Sequence, residues 1–123
     1  KQLLINSEDK KRFSYKVVDL STKAMIGYSE IYLLDKSSVL LGRIIIGDPE
    51  YRGKRLGQKI VELLLKISFD QLKVEKAELN VFDWNINAIR CYEKVGFVIN
   101  PSKTYKREII GETWTALNMV IEK

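Results

Sequence analysis

The stretch Asp48-Pro49-Glu50-Tyr51-Arg52-Gly53-Lys54-Arg55-Leu56-Gly57-Gln58 decides the fold, because a basic, glycine-containing turn here separates two apolar segments of different period. Upstream, Val39 to Gly47 is almost continuously apolar and reads as a buried strand. Downstream, Leu56, Ile60, Leu63, Leu64 and Ile67 recur at three- and four-residue spacing, which predicts an amphipathic helix over 52–69. A turn ending at a helix N-terminus presents backbone N–H groups that lack intrahelical partners, at the positive end of the helix dipole. With Arg52, Lys54, Arg55 and Lys59 close by, this is a place to hold phosphate. Glycine there lets the backbone approach a ligand with no Cβ in the way. Neither a Gly-Lys-Ser/Thr ending nor a Gly-x-Gly-x-x-Gly run follows, so phosphate is indicated but ATP or NAD is not.

Working outward, Lys1 to Arg12 is polar after a short apolar patch and is read as the end of a helix and a loop. Phe13–Asp19, Met25–Leu34 and Val39–Gly47 predict an antiparallel three-stranded meander, with Gly27 marking a bulge or a close backbone approach. The helix then returns the chain so that Lys76–Phe82 lies parallel to Val39–Ile46 through a crossover. A shorter helix over 87–95 turns Ala88, Cys91 or Tyr92, and Val95 inward and is stopped by Gly96. A short strand over Phe97–Ile99, a longer turn from Pro101, and a hairpin of Tyr105–Ile110 with Glu112–Ile121 about Gly111 complete the chain. The expected unit is a single α/β domain over 1–123.

Composition narrows the function. The chain has 123 residues, 46% hydrophobic, which suits one core. Its 21 Lys and Arg against 16 Asp and Glu give +5, an excess that permits an anionic ligand without demanding one. The basic residues are scattered and not interleaved with aromatics, which counts against nucleic acid. Histidine is absent, so histidine-dependent triads and histidine-built metal sites are excluded, and no metal is expected. One cysteine, Cys91, cannot form an intrachain disulfide, and a reducing cytoplasm is the expected location. No apolar run approaches the roughly 18 residues of a membrane span, and the start lacks the features of a signal peptide.

The second constellation is Asn85-Ile86-Asn87-Ala88-Ile89-Arg90-Cys91-Tyr92-Glu93-Lys94-Val95-Gly96-Phe97. Asn85 or Asn87 caps the short helix, and an amide at a strand end also suits a ligand's amide. Tyr92 is either a half-buried packing residue or a hydroxyl aimed at a group held between the two parallel strands.

Together the two segments resemble the acetyl-coenzyme A binding core of the Gcn5-related N-acetyltransferase (GNAT) superfamily. Its first signature, Gln or Arg, two residues, Gly, one residue, then Gly or Ala, is met at its ends by Arg52 and Gly57, while Arg55 stands at the first glycine. Its later signature, Asn-x-x-Ala-x-x-x-Tyr-x-x-x-Gly-Phe, is met by Asn85, Ala88, Tyr92, Gly96 and Phe97. The likeness spans about Phe13 to Met119, and the tail resembles the subset that acetylates ribosomal-protein N-termini, with relatives acting on polyamines or antibiotics. The implied architecture is the acyl-CoA N-acyltransferase fold: a mixed, mostly antiparallel sheet with a splayed parallel central pair and helices on both faces. In this family a strand and two helices precede the first strand seen here, so the N-terminal part is expected to be missing.

The resemblance implies acetyl transfer from acetyl-coenzyme A to a primary amine by direct attack in a ternary complex. The acceptor would be a protein N-terminus or a small amine-bearing molecule. The cofactor would lie in the splay against Ile44, Ile45 and Ile46, with its pyrophosphate on Arg52, Gly53, Lys54, Arg55, Leu56, Gly57 and Gln58, and Asn85 and Tyr92 beside it. An N–H near Ile45 or Ile46 would stabilise the oxyanion. Tyr92, with an ordinary phenol pKa near 10, would serve the leaving thiolate. Glu30 and Asp83 are the candidate bases, each otherwise a surface charge, with a water chain as the third choice. Trp84 lines the acceptor site or anchors the core, and Trp114 is core or a homodimer contact. The alternative to an enzyme is a non-catalytic acyl-CoA-binding module of the same fold, motivated by Arg55.

Overall fold

The computed structural model describes residues 2–5, 12–18, 20–46 and 56–123, the side chains of 2–5 and 43–46 excepted. Seven strands, β1 (Gln2–Ile5), β2 (Arg12–Val18), β3 (Met25–Leu33), β4 (Ser38–Ile46), β5 (Lys76–Phe82), β6 (Val98–Ile109) and β7 (Glu112–Glu122), form one sheet. Helix α1 (Leu56–Lys66) joins β4 to β5, and α2 (Ile86–Val95) joins β5 to β6. The strand order is β1-β2-β3-β4-β5-β7-β6, antiparallel throughout except for the β4–β5 pair. This is the mostly antiparallel sheet with a parallel central pair that the hydrophobic pattern predicts.

One face of the sheet carries the core. Tyr15, Val17, Ile31, Val39, Leu41, Ala77, Leu79 and Met119 meet Leu56, Ile60, Val61 and Leu64 of α1. Each fully buried aliphatic side chain stabilises the fold by about 1.5–3 kcal/mol. That burial is what holds α1, since an 11-residue helix is marginal alone in water. Ala88, Ile89, Tyr92 and Val95 of α2 pack against the same cluster. The family resemblance implies helices on both faces; among the described residues α1 and α2 share one, because their apolar stripes meet each other as well as the sheet. Past Lys66 the helix widens into a π-helical turn, Ile67–Gln71, where buried Ser68 donates its Oγ back to Leu64 O at 2.8 Å.

Two N- and C-terminal expectations are corrected. Gln2–Ile5 is no helix end but an edge strand, paired antiparallel with Val18–Tyr15 of β2. The predicted short strand, turn and separate hairpin arm over 97–110 are one strand, β6. The chain passes Pro101 in a bulge, the register jumping from Asn100↔Asn118 to Tyr105↔Ala116. Proline's missing N–H is tolerated there because a bulge breaks the ladder locally. The hairpin itself turns on Ile110 (φ 48°) and Gly111 (φ 76°), closed by the pair Ile109↔Glu112.

Candidate functional site at the β4–β5 splay

β4 and β5 are paired only from Ser38↔Lys76 to Leu41↔Leu79. Beyond that point β4 runs on to Ile46 along β3, and β5 runs on to Phe82 along β7, without pairing to each other. The cause lies in the register of β3 with β4. Tyr28 pairs with Ile45 and Glu30 with Gly42, so Ser29 alone faces both Arg43 and Ile44. An extra residue on one strand bends it and increases its twist. The bulge starts two residues after the last β4–β5 pair, and the two parallel strands part there. Beyond Leu41 and Leu79 each has an edge with no strand partner among the described residues. The splay that the family resemblance implies is therefore present, and the backbone of Ile44, Ile45 and Ile46 forms part of its wall.

On the helical face, α2 presents Tyr92 toward the core. Its ring lies edge-on to Phe97, centroids 6.1 Å apart. Burial pushes its phenol up to about 12, with a smaller push from the Cys91 thiolate, which corrects the ordinary value expected from the sequence. Asn85 is the cap: its Oδ1 accepts from Ala88 N at 3.3 Å, and the helix ends at Gly96, whose φ of 122° no β-carbon residue adopts readily. Cys91 is half-buried, and burial raises its thiol, in keeping with a packing role. Leu56 is buried in the core at the start of α1, so only its peptide group can face a ligand. Gly57 and Gln58 are half-buried in the same turn. Arg52, Gly53, Lys54 and Arg55 lie outside the described residues.

The opposite face carries charge. Strand alternation puts Tyr28, Glu30 and Tyr32 of β3 on one side together with Ser14 of β2 and Gly42 of β4. Glu30 is 1% exposed, so it is no surface charge. It accepts from Tyr32 Oη at 2.5 Å, Tyr28 Oη at 3.1 Å and Ser14 Oγ at 3.4 Å, with Arg12 Nε 3.6 Å away. A buried carboxylate requires such donors, because desolvating it unpaired costs several kcal/mol. Tyr28 and Tyr32 were not singled out from the sequence, although their spacing of two on either side of Glu30 marks them. Asp83, by contrast, is exposed in the turn after β5, where its N–H donates to Thr115 O at 2.9 Å. Trp84 is 57% exposed and is not a core anchor. It stacks on Phe82 at 5.9 Å, and Trp114 meets both rings edge-on at 5.6 and 4.9 Å. Among the described residues no group of three or more acidic or thiol side chains could hold a metal, and no helix is long and apolar enough to cross a membrane.

Comparison with known proteins agrees with this geometry. Residues 3–97 match the family model described as Acetyltransferase (GNAT) family. A spermine/spermidine N(1)-acetyltransferase of Bacillus subtilis is 35% identical over 92 residues, 73% of this chain and 60% of that protein. The chain thus spans about 60% of the length of that curated relative. The Vibrio cholerae spermidine N-acetyltransferase solved in complex with CoA and spermine is 28% identical and superposes with a TM-score of 0.82, covering 94% of this chain and 68% of that one. A dodecameric structure of the Vibrio enzyme gives 29% and 0.81, covering 93% of this chain and 66% of that one. These polyamine enzymes overturn the placement beside the ribosomal-protein N-terminal subset, which rested on the tail alone. The match over most of the chain, on a sheet that splays where an acyl carrier's arm would enter, makes this chain a member of the acetyltransferase (GNAT) family.

Proposed function

We propose that the protein transfers an acetyl group from acetyl-coenzyme A to a primary amine of an aliphatic polyamine. The observation that carries this reading is the gap between β4 and β5, opened by the bulge opposite Ser29, with buried Glu30 paired to Gly42 at its edge. The donor set fits the carrier: two unpaired strand edges suit an extended, amide-bearing arm, which can bond to them as a further strand would. Ile44, Ile45 and Ile46 would hold that arm by their peptide groups, and the first turn of α1 at Leu56, Gly57 and Gln58, with Arg52 to Arg55 before it, would hold the pyrophosphate. Bound acetyl-coenzyme A supplies the activated acyl group.

The chain's own residues do the rest. A peptide N–H at Ile45 or Ile46 meets the negative charge that develops on the acyl oxygen. Tyr92, neutral far above physiological pH, acts as a hydrogen-bond donor to the departing sulfur. Full proton transfer from a phenol near 12 to a thiolate of pKa about 8.5 is uphill, so stabilisation by the hydrogen bond is its contribution. Glu30 accepts the amine's proton through the hydroxyl of Tyr32 or Tyr28, since its own oxygens are buried. Asp83, exposed in its turn, lacks that setting. Trp84, with Phe82 and Trp114, offers aromatic faces to a cationic acceptor at the mouth of the gap. The polyamine relatives support the acceptor class, and self-association follows the dodecameric relative.

The test is release of free thiol when the full-length protein meets acetyl-coenzyme A with spermidine, a free-amine peptide and an aminoglycoside. Turnover with spermidine is expected. Coenzyme A binding by calorimetry without turnover on any amine would instead establish a non-catalytic module.

A further inference from the structure

On the face opposite the helices, β5, β7 and the bulge of β6 bring together polar side chains that the reaction does not use. Glu78, 4% exposed, receives Asn118 Nδ2 at 3.2 Å on Oε1. The same Nδ2 donates to Asn80 Oδ1 at 3.0 Å. Lys103 Nζ donates to both Glu78 oxygens, at 3.3 and 3.1 Å, and Lys76 Nζ stands 3.5 Å from Oε2. Burial alone would raise the Glu78 carboxyl, but these hydrogen bonds and charges together hold it below its ordinary value.

One atom is left over. Asn118 is 2% exposed, and its Oδ1 is buried with no hydrogen-bond partner among the described residues. Turning the amide over would aim that oxygen at two acceptors, Glu78 and Asn80, so the orientation is settled by its neighbours. A buried acceptor without a donor is costly and marks a place where a donor belongs. Lys103 does not fill it. Its side chain, 52% exposed, enters from residues 101–104, the bulged segment with no partner register on β7. Chemically it is a primary ammonium on a flexible methylene stem, the same group that ends an aliphatic polyamine.

We infer that Glu78, Asn80 and Asn118 form a binding site for a second ammonium group of the polyamine, with Lys103 as a tethered occupant that the polyamine displaces. The exchange is one positive charge for another, so Glu78 stays paired throughout. The incoming ammonium carries three donors and gains Asn118 Oδ1 as an extra acceptor. Lys103 regains the side-chain freedom that holding an exposed ion pair removes. The spacing fits: Leu40 lies level with Glu78, and the bulge at Arg43–Ile44 follows three to four residues on, about 10–13 Å at the rise of a strand. Two linkers of three or four carbons in series bridge that distance, whereas a monoamine has nothing to place there. The site thus separates polyamines from simple amines, and it rests on the acetyl-transfer reading only for which amine reacts.

The experiment uses the full-length protein, spermine titrated by calorimetry, and steady-state kinetics with spermidine and with propylamine. Lys103→Ala should tighten spermine binding and lower the spermidine KM by about tenfold, and Glu78→Gln should do the opposite by a similar factor. The propylamine KM should not move in either variant. Unchanged or weaker spermine binding in Lys103→Ala overturns the inference, as does an equal shift for propylamine. Should Glu78→Gln unfold the chain, Lys103→Ala decides alone, because loss of a merely structural salt bridge cannot improve affinity. Opposite responses in spermine binding without turnover would keep this site and sink acetyl transfer. Turnover of spermidine with both variants silent would do the reverse.

Discussion

The Tyr32 hydroxyl donates to Glu30 Oε1 at 2.5 Å while its ring lies on Gly42, where a Cβ would stand 3.0 Å from Tyr32 Cε2. A hydrogen bond this short to a carboxylate is of the strong, charge-assisted kind. Gly42 is also the last β4 residue before the bulge that opens the splay. The glycine therefore lets a tyrosine cross β4 at the edge of the gap and reach the buried carboxylate.

Gly42→Ala should lift the Tyr32 ring edge by a few tenths of an ångström and lengthen its bond to Glu30. We expect a loss of about 1–2 kcal/mol in stability by denaturant unfolding, with kcat reduced more than the KM for acetyl-coenzyme A. A variant as active and as stable as the parent would show that this contact is incidental.

Glu30→Gln keeps the shape of the buried side chain but removes the proton acceptor. The expected fall in kcat is about 10²–10⁴-fold, and the acidic limb of the kcat–pH profile should flatten. Because the amide keeps one acceptor oxygen and its NH2 can donate to hydroxyl oxygens that rotate to accept it, the fold should survive, as read by thermal melting. A profile that keeps its acidic limb would move the base elsewhere, to Asp83 or a water chain.

Tyr92→Phe tests the donor to the leaving sulfur. With the phenol near 12, the donor form persists through pH 10 and is lost only as pH rises through its raised pKa. The parent's kcat should thus show no Tyr92-dependent decline below pH 10. The variant should lose about 10²-fold in kcat at every pH in that range, with coenzyme A affinity held within threefold.

Ile110 is 98% exposed and sits at φ 48° in a two-residue turn with Gly111 at φ 76°. A β-branched residue is ill-suited to left-handed backbone, and Asn-Gly is the preferred pair for such hairpins. Ile110→Asn should raise stability by about 1 kcal/mol and raise Tm in a calorimetric scan without altering turnover. A lower Tm would mean that the isoleucine has a packing partner outside this chain.

Much of the fold was legible because its signals are local. β5 occupies Lys76–Phe82 as its composition predicts, Gly96 ends α2, and the last hairpin turns at Gly111. Four-residue β1 escaped, since Gln2–Ile5 is too short to show a period and is a strand only by pairing with β2. β6 escaped because Pro101 reads as a breaker, whereas a bulge opposite Leu117 absorbs it.

The amino-acid order by itself determined the periodicities, the turns and the two segments that carry the family likeness, since each depends on neighbours a few positions apart. Tertiary structure alone decided that Glu30 is buried under two tyrosines, that Trp84 is exposed, and that Lys103 lies on Glu78 twenty-five positions away. Those outcomes depend on strand register, and shifting register by one residue sends every side chain to the other face. A linear pattern states which residues are polar; only the pairing of strands states which of them meet.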